Sequence, residues 1–299
     1  MLRTRILTAA VLVPLIIAVV IVGEPWISLL VGVVAFLALV ELVALLDAAG
    51  YEPPQVLSIV AGMALTAAGL VTANQAVVGD PLSSVLNALD PPGLVAATLV
   101  AVVLLLGAAG FTRADPRRGF VTWAMSTFGV AYVGLLLPTL VLVAHLAPPG
   151  GTAATPVGML EIRSGAAWAF LLILVVWGYD TGAYLIGRVV GRRRLVDHIS
   201  PSKTVEGLFG GLLVATIGAG VGAALVGLEP WHPLVIGPLV GLAAQAGDLA
   251  ESMLKRAADR KESGFLVPGH GGILDRIDSF LFAAPVLAGY ALLVAGRVA

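Results

Sequence analysis

Residues 26–46 read WISLLVGVVAFLALVELVALL, an unbroken apolar run whose only charge is Glu41. A helix that crosses a bilayer needs about 20 consecutive, mostly apolar residues. This run meets that length by itself, and its neighbours repeat it. The 299-residue chain is 59% hydrophobic and only 12% charged, with a mean hydropathy of +1.02. That composition predicts an all-α, polytopic integral membrane protein. A net charge of −1 gives no electrostatic case for nucleic acid as a partner. There are no cysteines, which excludes disulfides and thiolate sites.

Working outward from 26–46, the apolar runs predict about nine spans, at 5–23, 26–46, 56–74, 93–111, 121–146, 165–187, 207–228, 233–254 and 273–296. The fifth is long enough to tilt or to break near Pro138. Met1–Val22 also has the form of a signal peptide. No small-residue cleavage site precedes Glu24-Pro25-Trp26, so an uncleaved first helix is expected. With the N-terminus inside, 15 of the 17 Lys and Arg fall on the cytoplasmic side, and only Arg163 and Arg297 fall outside it. Segments 75–92 and 147–164 read as external connectors. The pairs Gly207/Gly211 and Gly218/Gly222 suit close helix packing, within one chain or across a homodimer. The division expected is an amino-terminal helical region, 1–160, followed by a carboxy-terminal region, 161–299.

The chemistry collects in that second region. Asp248, Glu251, Ser252 and Lys255 are spaced by 3, 4 and 7, which places them on one face at the end of the eighth span. Asp275 and Asp278 share the opening turn of the ninth. Carboxylates are expensive in apolar spans and usually mark a site. Two sets on helix ends joined by a short loop are expected to converge. Hard oxygens beside basic residues suit Mg²⁺ with a phosphate ligand. Interfacial salt bridges, such as Glu251 with Lys255, are the plainer alternative.

Three further elements stand nearby. Gly269-His270-Gly271-Gly272 enters the ninth helix, either as a phosphate cradle or as a simple glycine-rich turn. In Ser200-Pro201-Ser202-Lys203-Thr204-Val205-Glu206-Gly207, Lys203 suits a phosphate and Ser200 and Thr204 offer hydroxyls. The same segment also suits a capped helix start, with Ser202 or Thr204 as N-cap. Asp180 lies inside an apolar run near Thr181, Tyr184 and Arg188. It reads either as functional or as a carboxylate paired with Arg188 at the rim. Glu41 has no local partner and reads as structural or protonated. Arg192-Arg193-Arg194 suits an anionic lipid head group.

Ser252-Met253-Leu254-Lys255-Arg256, then Lys261, Gly264 and Pro268-Gly269-His270-Gly271-Gly272-Ile273-Leu274-Asp275-Arg276-Ile277-Asp278 resembles the signature of the phosphatidate cytidylyltransferases, with its spacing kept over 27 residues. Glu262 stands where that family has Asp, and Val267 where it usually has Leu, Ile or Phe. Ser-Pro-x-Lys-Thr-x-Glu-Gly and Asp180-x-x-Ala183-Tyr184-x-x-Gly187-Arg188 resemble it too. The likeness is specific over about residues 178–280, whereas the first 160 match only as apolar helices.

The resemblance implies that CTP and phosphatidic acid give CDP-diacylglycerol and pyrophosphate at the cytoplasmic side of a bacterial-type inner membrane. Asp248 and Asp275 would hold Mg²⁺, with K⁺ implicated nearby. Asp278 and Asp180 would support them, and Lys203, Lys255 and Arg276 would clamp phosphates. Ser200, Thr204, His270, Gly271 and Gly272 would contact the nucleotide. Two rival expectations are a transferase acting on another lipid phosphate and an ion-coupled transporter. The transporter predicts acids near the midplane and a repeat between halves; neither is visible in the sequence.

Overall fold

A computed structural model describes residues 2–75, 91–147, 154–157, 160–267 and 271–295. Its helices are α1 (Leu2–Val22), α2 (Trp26–Ala48), α3 (Gln55–Gln75), α4 (Pro91–Gly110), α5 (Pro116–Gly134), α6 (Thr139–Val143), α7 (Ser164–Val190), α8 (Val205–Val226), α9 (Pro233–Ala257) and α10 (Leu274–Tyr290), the last running into a π-helical turn over Ala291–Ala295. Among the described residues, eight helical segments are long and apolar enough to cross a membrane. The apolar stretch Ala10–Val22 of α1 is shorter. The chain is therefore an all-α polytopic membrane protein.

The fifth span is broken, as Pro138 allows. Helix α5 stops at Gly134, the chain turns, and α6 restarts at Thr139. Proline has no N–H to donate, and its ring clashes with the preceding turn. Helix α5 also begins earlier than hydropathy alone suggests. Asp115 is its N-cap, accepting from the Arg117 N–H at 2.9 Å, with Pro116 in the first turn. Two antiparallel pairs lie between helices, one in the expected connector 147–164 and one in the segment leading into α8. One joins β1 (Ala154–Val157) to β2 (Leu160–Arg163), with Ala154 opposite Arg163. The other joins β3 (Arg194–Val196) to β4 (Ser200–Thr204), with Val196 opposite Ser200.

Two compact units share the chain and interleave along it. One comprises residues 1–14, 24–141 and 254–277; the other comprises 15–23, 142–253 and 278–299. Residues 15–23 group with the second unit, and 254–277 returns to the unit of the amino-terminal helices. In the first unit, Leu65, Leu106 and Val130 of α3, α4 and α5 form a buried apolar cluster. Trp123 donates from Nε1 to the Val103 carbonyl at 2.9 Å, which ties α5 to α4.

In the second unit, α7 and α8 pack most extensively. A Cβ on Gly218 would lie 2.7 Å from the Leu174 carbonyl oxygen, and one on Gly222 would lie 2.6 Å from Leu171 Cα. Gly207 and Gly211 meet Ala183 and Tyr179 of α7 in the same way. Both small-residue pairs are thus used inside the chain. Gly218→Val should lower thermal stability by about 1–3 kcal/mol through overpacking. Gly220→Val on the same helix, where nothing lies within 4 Å of the added carbon, should leave it unchanged. Thermal unfolding of the two purified variants checks the pair; equal midpoints would contradict this packing.

Candidate active site

In the second unit a polar cluster forms around Asp248. Strand β4 presents Lys203, whose Nζ lies 2.7 Å from Asp248 Oδ2 on α9. The two side chains are 17% and 32% exposed, so this pair is only partly shielded. One turn further along α9, Ser252 donates to Asp248 Oδ1 at 3.3 Å. One turn before it, Gln245 Oε1 accepts from the buried Tyr179 hydroxyl of α7 at 2.8 Å. Asp180 is the next residue along α7. Asp180 itself is solvent-facing.

Gly247 explains how close α9 comes to α10 here. A Cβ on it would lie 2.3 Å from the Asp278 carbonyl oxygen. The backbone of Asp278 thus reaches the residue next to Asp248. Within its own turn, the Asp278 Oδ1 accepts from the Ser279 N–H at 2.6 Å.

Strand β4 and the start of α8 are locked together. Thr204 is the N-cap of α8, accepting from the Gly207 N–H at 3.1 Å. One lone pair of its oxygen is therefore used structurally. Glu206 accepts from the backbone N–H groups of Arg192 and Arg193, at 2.9 and 3.2 Å. This fixes the turn after α7 and leaves the three arginine side chains exposed. Ser200 pairs with Val196 in the strand and is half-buried. Arg188 donates to the Tyr184 hydroxyl at 2.8 Å, on the exposed side of α7.

The first unit holds a second cluster, which is more buried. Lys255 Nζ lies 2.6 Å from Asp275 Oδ1, with side chains 11% and 8% exposed. Asp275 Oδ2 accepts from the Ser263 N–H at 2.9 Å, the Ser263 hydroxyl at 2.8 Å and the Gly272 N–H at 2.8 Å. Glu41 of α2 reaches the same place. Its Oε1 accepts from the Ile273 N–H at 3.0 Å and its Oε2 from the Leu274 N–H at 2.9 Å. The Ser263 hydroxyl stands 3.1 Å from that second oxygen.

Two carboxylates of the chain therefore take the N–H groups of Gly272, Ile273 and Leu274. In this structure the amides at the start of α10 are satisfied from within the chain, the arrangement of a glycine-rich turn entering a helix. Gly271 has φ +83°, which suits glycine in the turn before the helix. His270 lies outside the described residues. Arg276 is exposed and makes no side-chain ion pair among the described residues, so its guanidinium remains open to an anion.

Sequence reasoning read Glu41 as structural or protonated without finding its partners, and it did not single out Ser263 or the Tyr179–Gln245 pair. A lone acid in an apolar span was the available signal for Glu41. Its partners lie 232 and 233 residues away, beyond any local pattern.

The donor set bears on which metal the protein is able to hold. Among the described residues, no group of three or more His, Cys, Asp or Glu comes together. The Asp248 and Asp275 carboxylates are hard oxygen donors of the kind Mg²⁺ takes, one or two at a time, with water and substrate phosphates filling its shell. Asp248 and Asp275 are each paired with an ammonium in this structure, so a cation held there would take the place of the lysine.

Fold and site together define a polytopic membrane protein with lysine–carboxylate pairs and exposed arginines, a set suited to handling phosphate groups. The chain belongs to the cytidylyltransferase family, whose model matches residues 3–294. It is 39% identical over 212 residues to the phosphatidate cytidylyltransferase of Bacillus subtilis, covering 66% of this chain and 77% of that one. It is 31% identical over 307 aligned positions to that of Synechocystis, covering 97% and 96%. With that of Staphylococcus epidermidis it shares 36% over 206 residues, covering 67% and 78%.

Proposed function

We infer that this chain transfers the cytidylyl group of CTP to phosphatidic acid, releasing pyrophosphate and leaving CDP-diacylglycerol in the membrane. The observation that supports this most is the family match over nearly the whole chain, joined to relatives that carry that name.

In the reaction, an oxygen of the lipid phosphate attacks the α-phosphorus of CTP. The new P–O bond forms as the bond to the β-phosphate bridge breaks, and pyrophosphate leaves. A phosphate monoester is already ionised at neutral pH, with a second pKa of about 6. No strong general base is needed, which accords with the residues in the two clusters. The difficulty is bringing two polyanions together and holding the leaving group.

Lys203, Lys255 and Arg276 are the proposed phosphate clamps. Arg276 is open, while the two lysines rest on carboxylates and would change partner when phosphate arrives. Asp248 and Asp275 are the proposed Mg²⁺ ligands, on the strength of the motif and of their carboxylate chemistry. Bound there, Mg²⁺ supplies positive charge at the α-phosphate and on the leaving pyrophosphate. K⁺ is proposed as a second, monovalent cation of the reaction. The positive-inside distribution of Lys and Arg supports a site facing the cytoplasm, in a bacterial inner membrane. There the exposed Arg192, Arg193 and Arg194 would meet anionic head groups, each contributing about 1 kcal/mol.

The test is an acceptor panel. Purified protein in nanodiscs is given CTP, Mg²⁺ and either phosphatidic acid, a polyprenyl phosphate or an ether-lipid phosphate. Pyrophosphate release is expected with phosphatidic acid and is expected to stop when EDTA removes the metal. Preference for another acceptor would replace phosphatidic acid with that lipid.

A further inference from the structure

We propose that Glu41, far from the signature in sequence, is the positioning residue that fixes the Asp275 carboxylate. The proposal rests on the functional reading above.

Glu41 is only 5% exposed, on an otherwise apolar face of α2. Burying a carboxylate is unfavourable unless hydrogen bonds compensate. Here they do so, and they come from one place. Its oxygens accept from two consecutive N–H groups, of Ile273 and Leu274, at the start of α10. A helix leaves those amides without partners of its own, and its positive end favours an anion. The Asp275 N–H points instead at the Ser263 oxygen, 3.3 Å away.

The loop leading into α10 is shaped around this carboxylate. A Cβ on Gly264 would lie 2.4 Å from Glu41 Oε1, and one on Gly272 would lie 2.4 Å from Oε2. A side chain at either position would push the Glu41 carboxylate away from these amides. The Gly272 N–H and the Ser263 N–H and hydroxyl then converge on Asp275 Oδ2. Glu41 thus holds the frame in which Asp275 sits, and the other Asp275 oxygen is left to face Lys255. Groups that orient a ligating carboxylate matter nearly as much as the ligand itself.

No other side chain is able to substitute. Aspartate is one methylene short of the two amides. Glutamine has the right shape but presents an NH₂ where one acceptor is needed, so it faces an N–H with another N–H. A residue that merely filled space would accept glutamine.

The experiment compares wild type with Glu41→Gln, Glu41→Asp and Gly272→Ala, as full-length protein in nanodiscs. The first readout needs no activity: hydrogen–deuterium exchange of the backbone over 263–276. Glu41→Gln and Gly272→Ala should accelerate exchange there while leaving α7 and α8 at their wild-type rates. The second readout is kinetic. The kcat should fall about 10–100-fold and the Mg²⁺ concentration for half-activation should rise, with KM for the lipid unchanged. Glu41→Asp should recover at most part of the loss.

Wild-type exchange rates over 263–276 in Glu41→Gln, or a kcat within twofold of wild type, would overturn the proposal. If Glu41→Gln fails to fold, Ser263→Ala provides the same two readouts. A wild-type protein without cytidylyl transfer would instead remove the functional reading, and the exchange result would still stand or fall separately.

Discussion

Asp275→Asn will lower both stability and turnover. The two oxygens of Asp275 have different partners. Oδ1 takes the Lys255 ammonium, and Oδ2 takes three donors from Ser263 and Gly272. An amide supplies one acceptor and one NH₂. If its oxygen keeps the loop, the NH₂ faces a buried ammonium. If it keeps the ammonium, the NH₂ faces three donors. Breaking a buried ion pair by removing one partner destabilises by about 3–5 kcal/mol, because the remaining charge is uncompensated.

Asn is nearly isosteric with Asp, which by shape alone would leave folding normal. The burial of the pair says otherwise. The unfolding midpoint should fall clearly, and turnover should drop at least about 100-fold. Adding Lys255→Met should restore much of the stability and none of the turnover, since it removes the stranded charge but not the need for the carboxylate. Turnover within tenfold of wild type in Asp275→Asn would remove Asp275 from the chemistry.

Gly247→Ala should produce the second large effect, from a single methyl group. The added carbon would lie 2.3 Å from the Asp278 carbonyl oxygen and 3.3 Å from Ser279 Cα. Both are backbone atoms, so no flexible side chain is able to yield. The helices must part, carrying Asp248 on one and Asp278 on the other. Overpacking of this kind destabilises by about 1–3 kcal/mol. A displacement of about 1 Å at a reacting centre lowers the rate about 100-fold. Gly289→Ala is the control, since nothing lies within 4 Å of a Cβ there. Steady-state kinetics of the two variants, with their unfolding midpoints, decide the matter. Equal kcat values would show that the contact at Gly247 does not position the site.

Much of this architecture was readable in advance because bilayer thickness imposes a length on apolar runs. The spans around 26–46, 56–74 and 165–187 needed nothing more. Hydropathy placed the start of the fifth span late, because Arg117 and Arg118 depress it; Asp115 and Pro116 were the capping signal for the earlier start. The β3–β4 pair was not readable. Ser200–Thr204 has no alternation of apolar and polar residues, and it pairs across a short turn without burying a face.

The motif residues were legible as types and spacings, and Lys203, Asp248, Lys255 and Asp275 all prove to be engaged in close ion pairs. Which lysine meets which carboxylate was not legible. Lys255 shares a helical face with Glu251, and it also reaches Asp275 on another helix, which no local spacing shows. Glu41 is the sharpest case: its meaning lies in amides 232 and 233 positions away.

The fate of the nucleotide's phosphates tests the central claim most directly. Purified protein in nanodiscs containing phosphatidic acid is given Mg²⁺ and CTP labelled at either the α- or the γ-phosphate. The expected result is α-label recovered in a lipid and γ-label recovered in pyrophosphate, in equal amounts and only when phosphatidic acid is present. A folded sample that leaves the α-label in water-soluble nucleotide, whatever lipid phosphate is supplied, would contradict cytidylyl transfer by this chain.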